Sequence, residues 1–215
     1  MKILVTAGAT REPIDDVRYV SNVSSGRTGA WIVEEAVRRF HTVYLLSGVG
    51  SLMPAKWALD TGLVVHREFD STANLLVNAE KLLEMSFDAI IATAAVADYT
   101  PVPRRGKIAS SQDKLVVSMV PTPKVIDRLH QIAPEAILVA FKLESGLTRE
   151  ELLARAGSTM ARAGARFVVA NLLAGHGCEN HGAILLDSND KTEELPTRRG
   201  LAERLIQRLE EEVRK

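Results

Sequence analysis

Short apolar or β-branched runs alternate along the chain with longer segments whose apolar residues recur every three or four positions. The runs at 2–7, 42–46, 63–69, 88–93, 115–120, 136–141, 166–170 and 183–187 are candidate strands. Residues 28–40 read as a helix, because Ile32, Val33, Ala36, Val37 and Phe40 share one face while Glu34, Glu35, Arg38 and Arg39 lie elsewhere. Similar stripes occupy 71–85, 122–132, 148–163 and 197–213. Thr148-Arg149-Glu150-Glu151 has the form of a capping box; Thr72-Ala73-Asn74-Leu75 resembles a helix start but lacks the third-position carboxylate. This alternation predicts an α/β protein on a mostly parallel sheet. Residues 4–8 and 90–94 read as central strands, apolar on both faces and ending in small residues, so a ligand crevice is expected at their carboxyl ends. The Pro101-Val102-Pro103-Arg104-Arg105-Gly106 stretch breaks regular structure, and residues 99–121 are expected to form a flap.

Composition narrows the class. The chain has 215 residues, 46% hydrophobic and 25% charged, which excludes disordered and fibrous proteins and fits one domain over 1–215. With 27 basic against 27 acidic side chains, nothing favours wrapping nucleic acid or adhering to an anionic membrane, so phosphate binding has to be local. No apolar run approaches the roughly 20 residues of a membrane span. The start, Lys2 followed directly by Ile3-Leu4-Val5, leaves no room for a signal peptide, and a cytoplasmic protein is expected. The single cysteine, Cys178, excludes an intramolecular disulfide and cysteine-based metal clusters.

Six segments carry candidate chemistry. Val5-Thr6-Ala7-Gly8-Ala9-Thr10-Arg11 runs from a strand into a small-residue turn whose amides could approach a phosphate or sugar, although neither G-x-G-x-x-G nor a Walker lysine is present; a plain tight turn would look the same. Asn22-Val23-Ser24-Ser25-Gly26-Arg27 leads straight into a helix, combining hydroxyls with amides at the positive end of the helix dipole, which suits an anion better than simple capping does. Ala94-Ala95-Val96-Ala97-Asp98 ends a buried strand, and Asp98 could hold a sugar hydroxyl, assist a metal or merely close its own turn. Lys107 in the flap could cancel triphosphate charge, or be an ordinary surface lysine. Phe141-Lys142 ends another strand, with a ring able to stack on a base and an ammonium able to meet phosphate; a core Phe and a solvated Lys would look identical. Asn171 ends a further strand; His176 and His181, which follow it, are too irregularly spaced to suggest zinc.

In this order the segments resemble phosphopantothenoylcysteine synthetase. The resemblance rests on residues 5–15, 17–26 and 94–99, Lys107-Ile108, Met119-Val120-Pro121, Pro123-Lys124-Val125-Ile126, 140–144 and Ala170-Asn171, nearly the whole chain. It implies a Rossmann-like three-layer α/β fold with the flap appended. The implied activity joins 4′-phosphopantothenate to L-cysteine through an acyl-nucleotide, releasing pyrophosphate and nucleoside monophosphate, in coenzyme A biosynthesis. Mg²⁺ is implied, with CTP favoured and ATP the alternative co-substrate; no flavin is expected, because the flavin belongs to the decarboxylase that many bacterial members carry in front. The chain resembles the free-standing form, with that decarboxylase as a separate partner chain, and family members resemble one another in forming homodimers.

By the same resemblance Asn22 and Lys107 are catalytic. Gly8, Ala9, Thr10, Ser24, Ser25, Gly26, Ala94, Ala95, Asp98, Pro123, Lys124, Val125, Ile126, Phe141 and Lys142 would bind the nucleotide, and Arg11, Asn22, Ala95 and Asn171 the acyl substrate; the metal ligands stay unassigned. The chain departs from fused bacterial members in three places. The flap lysine run is reduced to Lys107, the helix before Ala170-Asn171 keeps only Arg162, and Ala9 stands where glycine is usual. Lys142 is the candidate to compensate. Two other classes stay open: a non-catalytic binder of nucleotide or phosphopantothenate, and an NAD(P)-dependent reductase. Against the reductase stand the missing glycine fingerprint and the absence of a Tyr-x-x-x-Lys pair at Tyr19, Tyr44 or Tyr99.

Overall fold

A computed structural model describes residues 1–109, 113–173 and 182–214. His176, Cys178 and His181 lie outside them. In chain order the elements are β1 (Lys2–Ala7), β2 (Arg11–Pro13), β3 (Tyr19–Ser21), α1 (Arg27–Arg38), β4 (Thr42–Gly48), α2 (Lys56–Leu59), β5 (Val64–Phe69), α3 (Thr72–Leu82) and β6 (Ala89–Ala92). They continue with β7 (Tyr99–Pro101), β8 (Met119–Pro121), α4 (Val125–Ile132), β9 (Ile137–Glu144), α5 (Arg149–Ala163), β10 (Phe167–Leu172), β11 (Ala183–Asp187), β12 (Thr192–Leu195) and α6 (Arg198–Val213).

Eight strands form one sheet in the order β12-β11-β10-β9-β6-β1-β4-β5. From β5 to β10 every pairing is parallel, and β11 and β12 close the far edge as an antiparallel hairpin. Side chains alternate across the sheet and bury on both faces. Ile3, Val5 and Ala7 pack with Ile32, Val33, Ala36 and Val37 of α1 and Leu201, Leu205 and Leu209 of α6. Leu4, Ile90 and Leu138 pack with Leu75 and Leu82 of α3, Leu129 of α4 and Leu152 and Ala156 of α5. The layers are therefore helix, sheet, helix, the expected three-layer α/β arrangement. The chain winds outward from β1 through β4 to β5, then returns to the other side of β1 at β6, so a crevice opens between the carboxyl ends of β1 and β6.

Several expectations are corrected. Helix α1 stops at Arg38, so Phe40 leaves the apolar stripe, adopts φ 60° and is 87% exposed. Its N–H donates to the Val37 carbonyl and that of His41 to Ala36, a tight closing turn that ends the helix before the stripe does. The run 115–120 forms no strand of the main sheet; only Met119–Pro121 pairs, antiparallel with Tyr99–Pro101, because its apolar residues face outward rather than into either core. Helix α3 is capped by Ser71, whose Oγ accepts from the Asn74 N–H, and not from Thr72. Helix α4 starts at Val125, after Pro123, and Thr122 instead donates its hydroxyl to the Ala97 carbonyl. The Thr148 capping box is present, with both reciprocal hydrogen bonds.

Candidate active site in the crevice between β1 and β6

The two loops that leave β1 and β6 are tied to each other. Thr93 donates from both N–H and Oγ1 to the Thr6 carbonyl, and the Ala95 N–H reaches the Gly8 carbonyl at 2.7 Å. The Thr10 N–H donates back to the Ala95 carbonyl, so Ala9 and Ala95 face each other beyond the strands proper. Backbone approach this close requires small residues. A Cβ on Gly8, where φ is 82°, would lie 1.8 Å from the Ser51 Oγ, and one on Gly26, where φ is 76°, would lie 3.3 Å from the Gly8 nitrogen. Turn 24–26 and the loop after β4 thus close over the Gly8 turn, pinned by the Leu52 N–H on the Ser25 carbonyl. Helix α1 begins here with Gly26 at its N-cap; the Ser25 Oγ accepts from the Arg27 N–H and the Ser24 Oγ from the Gly26 N–H, both at 3.4 Å, so two hydroxyls sit at the positive end of the helix beside the crevice.

Between the Gly8 turn and turn 24–26 the chain makes a small hairpin of β2 and β3. Thr10 and Asn22 stand at its base, joined through the Ser21 hydroxyl, which donates to the Thr10 carbonyl. The Asn22 Nδ2 donates to the Val96 carbonyl at 3.0 Å, placing this amide across the mouth against the loop after β6. At the far tip, residues 14–18 grip the flap next to Lys107. Asp15 accepts from the N–H groups of Val17, Arg18 and Ile108, and Arg18 donates to the Ile108 carbonyl. The amide of Ile108 leads the groups that hold the Asp15 carboxyl below its ordinary range, outweighing the opposing effect of burial.

A crevice at the carboxyl ends of β1 and β6 is expected from the sequence; the Asn22 amide held across it by Val96 is not. The chain also matches, over residues 1–213, the family described as DNA/pantothenate metabolism flavoprotein C-terminal domain. The chain belongs to this family. A curated relative from Thermococcus kodakarensis, the "Coenzyme A biosynthesis bifunctional protein CoaBC", is 37% identical over 212 residues, 97% of this chain. That match covers 51% of the relative, so the chain spans about half its length. Among solved structures, the "DNA/Pantothenate Metabolism Flavoprotein from Streptococcus pneumoniae" superposes with TM-score 0.89 at 28% identity, covering 98% of each chain. The "C-terminal Domain of Coenzyme A biosynthesis bifunctional protein CoaBC" superposes with TM-score 0.80 at 26% identity, covering 99% of this chain and 95% of that one.

In this family domain the predicted residues fall into distinct places. Gly8, Ala9, Ser24, Ser25, Gly26, Ala94, Ala95 and Asn22 converge on the crevice. Thr10 lies beneath it, fully buried: its Oγ1 accepts from the Ala97 N–H and meets Thr72, so it braces the site from behind. Arg11 lays its guanidinium 4.9 Å from the Tyr19 ring centre, beside Gly50. Asp98 is exposed and paired with Lys124 at 2.5 Å, which joins the loop after β6 to the start of α4. Val125 packs into the core under α4, leaving Pro123, Lys124 and the half-buried Ile126 nearer the surface. Phe141 packs on the α1 side of the sheet, and Asn171 falls on that side by register. Lys142 lies on the opposite side, bound to Glu144 at 3.0 Å, and that ammonium is the main reason the Glu144 carboxyl sits below its ordinary range. Arg162 is committed to an ion pair with Asp127 that links α5 to α4.

Sequence reasoning missed three contributors: Ser51 on the loop after β4, Glu12, and the Asp15 turn. Glu12 is buried and accepts from both the N–H and the hydroxyl of Thr72, anchoring the start of α3. No pattern marks Glu12, whose strand is only three residues long; for the loop the Gly48-Val49-Gly50 spacing was the available signal. Among the described residues no three His, Cys, Asp or Glu side chains converge on a metal position. A magnesium ion carried by a triphosphate needs no such cage, only one or two carboxylates beside the phosphates. Asp98, exposed and bound to Lys124 through Oδ1, keeps its second oxygen for such a contact. No helix among the described residues is long and apolar enough to cross a membrane.

Proposed function

We propose that the chain is a phosphopantothenate–cysteine ligase acting in coenzyme A biosynthesis. The observation that carries this reading is the Asn22 amide, held by the Val96 carbonyl over a crevice floored by the Gly8 and Gly26 turns, in a chain of this family. In the first step a carboxylate oxygen of 4′-phosphopantothenate attacks the α-phosphorus of CTP or ATP, and the bond to the β-phosphate oxygen breaks, releasing pyrophosphate. In the second the cysteine amine attacks the acyl carbon, the C–O bond to the nucleotide breaks, and nucleoside monophosphate leaves as the amine loses a proton. Both steps handle concentrated negative charge, so fixed donors matter more than acid–base groups.

The amides of the Gly8 turn, the Ser24 and Ser25 hydroxyls and the positive end of α1 serve as anion donors, and Lys107 offsets triphosphate charge. Asn22, Arg11, Ala95 and Asn171 hold the acyl portion. Asp98, Pro123, Lys124, Ile126 and Phe141 receive the nucleotide along the carboxyl edge of the sheet, with Val125 supporting them from the core and Lys142 joining them on release from Glu144, and Ala9 and Ala94 keep the mouth narrow. Asp98 would be the carboxylate to help hold magnesium, which when bound would supply further charge neutralisation. We favour CTP over ATP on the family resemblance, in the cytoplasm, with a decarboxylase acting as a separate chain or domain. The exposed apolar residues Val17, Tyr19, Val20, Tyr99, Val116 and Val120, on and near the two small sheets, support a homodimer; sedimentation as a monomer at all concentrations would refute it.

The test is pyrophosphate release by the purified chain with Mg²⁺ and phosphopantothenate, with CTP and ATP in parallel and with or without cysteine. Release that requires phosphopantothenate, with amide formed only when cysteine is added, supports the ligase and names its nucleotide. Thermal stabilisation by these ligands without turnover would indicate a binding protein instead.

A further inference from the structure

We propose that Asp15 is a positioning residue that holds the flap lysine, Lys107, in place for the reaction. This rests on the reading that Lys107 acts on the triphosphate. The segment around Lys107 belongs to no strand among the described residues, and Gly106 turns it through φ 76°. Its anchors are side chains of the hairpin tip. Asp15 Oδ1 accepts from Val17 and Arg18 at 3.0 and 2.9 Å, which is enough to shape the local turn. Its second oxygen is sent across 93 positions of sequence to the Ile108 N–H at 3.0 Å. Arg18 Nη2 donates to the Ile108 carbonyl at 2.8 Å, so both main-chain polar groups of Ile108 are held. On the other side of Lys107, Asp16 Oδ2 accepts from the Gly106 N–H at 3.0 Å, and the Arg104 N–H reaches the Ile14 carbonyl at 3.1 Å.

Lys107 is thus gripped through both neighbours while its own side chain stays exposed. The base of the same hairpin carries Asn22, so one small element sets the spacing between the amide over the crevice and the lysine that serves it. Asp15, 4% exposed, is the part of this grip that water cannot readily replace.

Asp15→Asn is the test, because the amide has a single acceptor oxygen and cannot serve both the turn and Ile108. Losing a hydrogen bond to a charged group raises local opening about tenfold or more. Trypsin cleavage after Arg104, Arg105 or Lys107, identified by fragment mass, is expected to accelerate by that factor while the melting temperature stays near wild type. Phosphopantothenate-dependent pyrophosphate release is expected to lose about tenfold in kcat, with KM for phosphopantothenate within about threefold. In a Lys107→Ala background, Asp15→Asn should lower kcat no further. Asp16→Ala, at an exposed position, should shift cleavage and kcat in the same direction by less, and it decides the matter if Asp15→Asn does not fold.

Wild-type cleavage and wild-type kcat in these variants would overturn the proposal. So would a loss of turnover from Asp15→Asn as large in the Lys107→Ala background as without it. If Lys107→Ala itself keeps full turnover, the role given to Lys107 fails and the proposal falls with it, whereas the cleavage rates report on the grip alone.

Discussion

Two helical glycines should respond to the same substitution with opposite signs. Exchanging glycine for alanine inside a helix ordinarily stabilises by about 0.5–1 kcal/mol, since alanine loses less backbone entropy on folding. Gly157 in α5 has nothing within 4 Å of an added methyl, so Gly157→Ala should gain that amount. At Gly29 in α1 the methyl would lie 2.4 Å from the Ala7 Cβ and 2.9 Å from the Thr93 Oγ1. Ordinary contact begins near 3.4 Å, and the Ala7 methyl has no torsion by which to escape, so α1 must retreat from β1 by about 1 Å. A clash of this depth with a rigid methyl belongs in the upper part of the overpacking range, about 2–3 kcal/mol, leaving a net loss of about 1–2 kcal/mol once the helix gain is subtracted. At about 2–4 °C per kcal/mol for a domain this size, Gly29→Ala should melt about 2–8 °C lower and Gly157→Ala about 1–4 °C higher by calorimetry. The retreat also moves the positive end of α1 away from the Gly8 turn, so pyrophosphate release should fall in Gly29→Ala alone. A Gly29→Ala protein melting at or above wild type would show that helix and strand do not meet as closely as described.

Three further outcomes follow from other parts of the structure. Asn22→Asp places a carboxylate where charged substrates bind, so turnover should fall by about a hundredfold or more while nucleotide affinity in titration changes little; unchanged kcat would remove Asn22 from the site. Glu12→Ala strips the start of α3 of its buried acceptor and should cost about 2 kcal/mol by urea denaturation; a loss under about 0.5 kcal/mol would mean that water replaces the carboxylate. At Asp187 burial alone would raise the pKa, but the N–H groups of Asn189 and Lys191 and the Arg208 guanidinium outweigh it and hold the carboxyl below its ordinary range. Its stabilisation is therefore complete above about pH 3.9 and lost as pH falls through the lowered value. The stability gap between wild type and Asp187→Asn should be wide at pH 7 and close on acidification below that range; a constant gap would contradict the assignment.

The doubly covered strands were legible because burial on both faces leaves runs such as Ile3-Leu4-Val5 and Ile90-Ile91, whose length and small-residue endings mark them. Edge elements left weaker traces. Strand β12, Thr192–Leu195, carries two glutamates and pairs on one side only, so its pattern is that of a polar loop. Strands β2 and β3 are three residues each, too short for a period to register. The run at 115–120 misled for the opposite reason: its apolar residues are largely exposed, so periodicity there carries no information about the core. In the site, Gly8, Gly26 and Asn22 could be found from local motifs. Ser51 and Asp15 act on residues 43 and 93 positions away, contacts no local window contains.

In the proposed reaction a substrate carboxylate oxygen attacks the α-phosphorus of the nucleotide. Phosphopantothenate labelled with ¹⁸O in its carboxylate, turned over with cysteine, Mg²⁺ and nucleotide and followed by mass spectrometry, reports where that oxygen goes. One labelled oxygen should appear in each nucleoside monophosphate, because the bridging oxygen leaves with phosphorus when the amine attacks carbon. Label in inorganic phosphate, accompanied by nucleoside diphosphate, would mean activation at the γ-phosphorus and would contradict the account.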